Sequence, residues 1–127
     1  MNWVEQTISR FGESIGIPTL ALEEGRSLRL KLANDCSILI HNLPDLPIAE
    51  VVVCRSEPIT YSSSALFRAA LQAADFRSPS AWPVQAAANN KELILAMRIP
   101  QRAFAFNVLE QALNQLVELH QKIRQQN

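Results

Sequence analysis

The chain has 127 residues, of which 48% are hydrophobic and 19% charged, and its 12 basic and 12 acidic side chains leave a formal net charge of zero. This length and balance fit one folded domain and exclude a disordered chain, while the lack of any basic run excludes the electrostatic footprint of nucleic-acid binding. No apolar run reaches the roughly 18 residues of a membrane span, and the polar opening MNWVEQTISR is unlike a signal peptide, so a cytoplasmic protein that touches neither membrane nor nucleic acid is expected.

Residues 3–15 read as a helix, because Trp3, Val4, Thr7, Ile8, Phe11 and Ile15 fall on one side at the helical period. Gly16 stands where a left-handed cap is wanted and Pro18 stops continuation. Leu20-Ala21-Leu22 is a short extended lead-in, and Glu23-Glu24-Gly25-Arg26 is a turn. Ser27–Leu32 alternates, with Leu28, Leu30 and Leu32 facing one way and Ser27, Arg29 and Lys31 the other, as in a half-buried antiparallel strand. A turn at Ala33-Asn34-Asp35 leads to a returning strand over 36–41, more apolar on both faces and so more central. Residues 42–47 read as a loop, and Ile48–Arg55 as a third strand rich in β-branched residues, closed by Pro58.

Residues 63–76 form an alanine-rich helix with Leu66, Phe67, Ala70, Leu71 and Ala74 on one stripe and a serine cap at Ser62–Ser64. Its small side chains predict burial on two sides or close contact with a partner. After a loop with Pro79, residues 82–88 read as a strand that Pro83 confines to an edge or a bulge. A hairpin turn at Asn89-Asn90-Lys91 leads to a strong strand over 92–99. A long helix from Phe104 to Gln126 closes the chain, its inner stripe being Leu109, Ala112, Leu113, Leu116, Leu119 or His120, and Ile123. The expected fold is α+β in the order α-β-β-β-α-β-β-α, an antiparallel twisted sheet with helices packed on it.

Several chemistries find no support in the residues. Cys36 and Cys54 lie in apolar strand patterns and read as small buried hydrophobes. His41 and His120 are far apart and lack neighbours at ligand spacing, so no metal site is expected. The serines at 62–64 form no nucleophile elbow, and with only three glycines no phosphate-cradling loop is available. Neither enzymatic activity nor a cofactor is expected.

The opening phrase Phe11-Gly12-x-x-Ile15-Gly16-Ile17-Pro18 with Leu20-x-Leu22, the strand Leu93–Pro100, and a last helix carrying Leu109-Glu110 with a Leu/Val stripe together resemble the class I effector chaperones of bacterial type III secretion systems, the Tir-chaperone or SycE-like family. The resemblance spans about residues 3–124, which makes residues 1–127 a single chaperone-like domain. It implies a homodimer, formed through the middle helix and adjoining strand, that holds the N-terminal segment of a secreted effector in extended form and keeps it secretion-competent. The secretion ATPase is a further implied partner. On this reading the dimer candidates are Leu66, Phe67, Ala70, Ala73, Ala74 and Trp82. The effector-binding candidates are Trp3, Phe11, Ile17, Leu20, Leu22, Arg29, Leu39 and Val52, each weighed against a place in the core. Two alternatives remain at this level: a regulatory adaptor of the same fold that sequesters an anti-activator, and an α+β domain that binds a small ligand in a closed pocket.

Overall fold

The computed structural model describes residues 2–59, 82–88 and 91–125. Its elements are α1 (Trp3–Ser14), β1 (Ser27–Lys31), β2 (Ser37–Leu43), β3 (Glu50–Pro58), β4 (Val84–Ala88), β5 (Glu92–Pro100) and α2 (Phe106–Gln125). The alanine-rich helix expected over 63–76, and with it Leu66, Phe67, Ala70, Ala73 and Ala74, lies outside the described residues, as do Asn89 and Asn90 of the expected hairpin turn. The five strands form one antiparallel sheet in the order β1-β2-β3-β5-β4. The strand containing residues 84–88 is therefore an edge, and Pro83 sits just before it, where its missing N–H costs the ladder nothing.

Helix α1 opens on an unforeseen cap: the Asn2 side chain accepts from the Glu5 amide at 2.9 Å. It closes on a paired-bond cap, in which Ile17 N–H donates to the Gly12 carbonyl at 2.7 Å and Gly16 N–H to that of Glu13 at 3.2 Å. Gly16 takes the left-handed φ of 82° that this cap requires. Gly12 has a different reason to be glycine. A Cβ there would lie 2.4 Å from the Ile17 carbonyl oxygen and 2.7 Å from Leu20 Cβ. The segment leaving α1 thus turns back hard against the helix it has just left.

Alternation puts Leu28, Ile38, Ile40, Val51, Val53, Leu93, Leu95, Met97 and Ile99 on one face of the sheet, all buried. Helix α2 crosses β3 and β5 on that face, and α1 lies beside α2. One hydrophobic cluster joins both helices to the sheet, taking Val4, Ile8 and Phe11 from α1 and Leu109, Ala112, Leu113, Leu116 and Ile123 from α2. Each fully buried Leu or Ile contributes roughly 1.5–3 kcal/mol. Arg10 lies over the Phe106 ring, 4.5 Å from its centroid, and ties the two helices at their exposed rim.

Three boundaries differ from expectation, each for a tertiary reason. The loop expected from Asn42 begins later, because Asn42 is a buried strand residue whose amide donates to the Gly25 carbonyl and accepts from the Gln101 side chain at 3.0 Å. Strand β3 runs from Glu50 to Pro58, not from Ile48 to Arg55; Ile48 is exposed in the connecting loop, and the polar end Arg55–Glu57 still alternates into the interior. The lead-in at 20–22 stands apart from the strands, as expected, and Glu23 after it bridges to Ser27. Helix α2 begins at Phe106 because Phe104, 2% exposed, is driven into the core by a 3-10 turn at Gln101–Ala103.

Candidate functional site

The sheet face turned away from α1 and α2 carries the side chains of alternate residues in ordered rows. One row runs Arg29, Leu39, Cys54, Ala96, Gln85; the next runs His41, Val52, Arg98; a third runs Ser37, Ser56, Ile94, Ala87. Leu39, Val52, Cys54, Ile94 and Ala96 are half-buried, which makes the centre of this face apolar and its β1 end cationic, with Arg29 and Lys31 exposed. A hollow of about 510 Å³ opens beside it, lined by Gln85, Ala86, Ala87, Ile94 and Ala96. Burial raises the Cys54 thiol above its ordinary pKa, so this cysteine stays neutral and behaves as an apolar side chain. At the far margin Arg98 holds Glu50 in a two-pronged ion pair at 2.8 and 3.0 Å. The hydrogen bond from Arg98 keeps the Glu50 carboxyl below its usual range, and Glu50 in turn raises Arg98.

The eight effector-binding candidates fall into three places. Leu39, Val52 and Arg29 share the open face. Phe11 and Leu22 belong to the core at 5% and 9% exposure, and Leu20 is half-buried against it, whereas Ile17 projects outward at 38%. The return segment that holds Leu20 and Leu22 encloses a groove of about 360 Å³ with Glu5 and Ser9 of α1. Trp3 lies near the opposite end of α1 with its indole N–H donating to the Gln101 carbonyl at 3.1 Å, yet its ring is half exposed. Trp82, the one dimer candidate within the described residues, is half-buried against this chain's own core.

Further exposed apolar residues are Ile15, Leu32, Leu46 and Ile48. Periodicity put Ile15 and Leu32 on inward stripes and Ile48 in a strand, but each lies just outside its element, where the stripe no longer meets the core. Cys54, Ile94 and Ala96 complete the apolar centre of the open face, and only the strand register brings them to Leu39 and Val52.

A second polar constellation is inside the protein. Arg55 Nη1 donates to Glu57 Oε1 at 2.6 Å and to His120 Nδ1 at 2.9 Å, and Arg124 Nε lies 3.4 Å from Glu57 Oε2. With Nδ1 accepting, His120 carries its proton on Nε2. Its complete burial, with the neighbouring guanidinium groups of Arg55 and Arg124, outweighs the attraction of Glu57 and lowers its pKa to about 4. The cluster fastens the end of β3 to the last turns of α2. It resolves the choice between Leu119 and His120 in favour of His120 as the inward residue, with Leu119 half-buried. Among the described residues no group of three or more His, Cys, Asp or Glu gathers as metal ligands, and no helix is long and apolar enough to cross a membrane.

Comparison with known proteins gives one family and solved chains of similar fold. The family model for the type III secretory system chaperone SycN matches residues 3–124. A chain of the crystal structure of the ExsC–ExsE complex superposes with a TM-score of 0.67 at 13% identity, covering 91% of this chain and 86% of that one. A chain of the heterodimeric ExoU–SpcU complex from the type III secretion system of Pseudomonas aeruginosa superposes with a TM-score of 0.63 at 18% identity, covering 97% and 96%. At such identities these likenesses speak to the fold. No curated protein sequence matches significantly.

Proposed function

We propose, of a chain that belongs to the type III secretory system chaperone SycN family, that it binds the N-terminal segment of a secreted effector in the bacterial cytoplasm and keeps that segment extended. The family match over nearly the whole chain carries this reading. The open sheet face supports it, since an apolar centre with a charged margin suits an extended segment whose side chains alternate between pockets and solvent. An enzyme would need polar groups converging in one pocket. The polar cluster of this chain is buried at Arg55, Glu57 and His120 and serves packing. On this reading the role is binding.

The working unit on this reading is a homodimer, with contacts from Leu66, Phe67, Ala70, Ala73, Ala74 and Trp82, and the loaded chaperone presents its cargo to the secretion ATPase. The test is affinity capture of the tagged protein from its own bacterium, followed by N-terminal truncation of what is retained. One dominant partner that is lost when its N-terminal segment is removed supports the chaperone. A retained regulator of transcription moves the assignment to an adaptor of the same fold. A monomer without a stoichiometric partner overturns both.

A further inference from the structure

The outer edge of β1 carries a charge pattern as well as backbone groups that no described residue pairs. Two ladder bonds set its phase: Asn42 N–H donates to the Arg26 carbonyl, and Leu32 N–H to the Cys36 carbonyl. Bonded pairs alternate in an antiparallel ladder, so Leu28 and Leu30 spend their backbone groups on β2, while those of Ser27, Arg29 and Lys31 point outward. The Ser27 carbonyl is taken by Glu23 N–H at 2.7 Å. Among the described residues nothing takes those of Arg29 and Lys31. Their side chains are exposed on the open face and make no ion pair among the described residues, with Leu39 and Ser37 as their cross-strand neighbours.

From this juxtaposition, two cations two residues apart on a strand, without an ion pair and with the outer backbone groups at those same residues free among the described residues, we propose that the β1 edge selects an extended partner segment of the pattern acidic–apolar–acidic. The inference rests on the reading that the protein holds an extended segment, and adds which segment it prefers. A strand that bonds to Arg29 and Lys31 places the residues opposite them on the open face, with Cβ atoms about 4.5–5.5 Å away. Acidic side chains there meet Arg29 and Lys31. The residue between them faces the other way, beside half-buried Leu30, and is apolar. The short free stretch sets the length of the readout, since Glu23 closes the edge at Ser27 and the left-handed Asn34 and Asp35 end it beyond Lys31.

The test uses the full chain. A display library of random twelve-residue segments is selected on the purified protein and on the R29E/K31E variant, both surface changes, and the enriched segments are made as peptides and titrated. The expected result is enrichment of acidic–apolar–acidic segments on the native protein and of basic–apolar–basic segments on the variant. Each charge pair is worth roughly two- to fivefold, so the native segments bind the double variant about tenfold more weakly, and the amide signals of Arg29 and Lys31 shift on binding. Segments without the acidic pair, or equal binding to both proteins, overturn the inference and leave the chaperone reading standing. The cations then only guard the edge against self-pairing. If no segment is enriched on either protein, both fall.

Discussion

Replacing Gly12 by alanine tests how the return segment is held against α1. In an unobstructed helix the change would stabilise by about 1 kcal/mol, since alanine loses less backbone freedom. Here the new methyl meets the Ile17 carbonyl oxygen at 2.4 Å and Leu20 Cβ at 2.7 Å. Neither is the loose end of a flexible chain. The Ile17 carbonyl accepts from Leu20 N–H at 3.1 Å, Ile17 N–H is bonded to Gly12 itself, and Leu20 packs against the core. Overpacking of this kind costs up to about 3 kcal/mol, so the net loss is about 2 kcal/mol. For a domain of this size that lowers the Tm by roughly 6–10 °C. Urea and thermal melts read the effect, with Gly16→Ala as the control. Gly16 has open space around it but a φ of 82°, so its alanine variant loses only about 1 kcal/mol through left-handed strain. A Gly12→Ala protein as stable as the parent, or less affected than Gly16→Ala, would refute the close approach and with it the placement of Ile17 and Leu20.

Acid should destabilise the protein through His120. Its pKa is about 4 in the folded chain against an ordinary 6.5 when unfolded, so the unfolded state takes up the proton first. The stability is whole above about pH 6.5 and falls by up to about 3 kcal/mol as pH drops toward 4; His120→Asn, which keeps an acceptor for Arg55 and cannot protonate, should flatten that part of the urea-midpoint profile. Glu57→Leu should cost about 3–5 kcal/mol by leaving Arg55 buried without its carboxylate, seen as a large fall in the urea midpoint with unchanged far-UV circular dichroism at low urea. Glu50→Gln, at an ion pair open to solvent, should leave the urea midpoint nearly unchanged, and the small difference should vanish in high salt. Under the proposed function, Leu66→Glu and Ala70→Glu should each give a folded monomer by light scattering; an unchanged dimer from both removes the middle helix from the interface.

Among the described residues, the sequence by itself determined which segments are helix and which strand. Period 2 in Ser27–Lys31 and period 3.6 in α1 and α2 are properties of a segment and its solvent-facing side, legible without knowing what covers it. Gly16 and Pro18 ended α1 from local chemistry alone, and the strand that follows Pro83 lies at the edge expected for it. What the tertiary structure decided is every relation between segments. Register brought Leu39, Val52, Cys54 and Ile94 onto one face and left Arg29 and Lys31 at its border. Asn42, Arg55 and Glu57 read as loop or strand end because they are polar, yet Asn42 and Glu57 are buried and Arg55 nearly so, since partners remote in sequence meet them: Gln101 for the first, His120 and Arg124 for the others. Gly12 needed its neighbours in space before its reason appeared. A local pattern records how one segment meets water; burial of a polar group and the close approach of two backbones depend on distant residues, and only the folded chain brings those together.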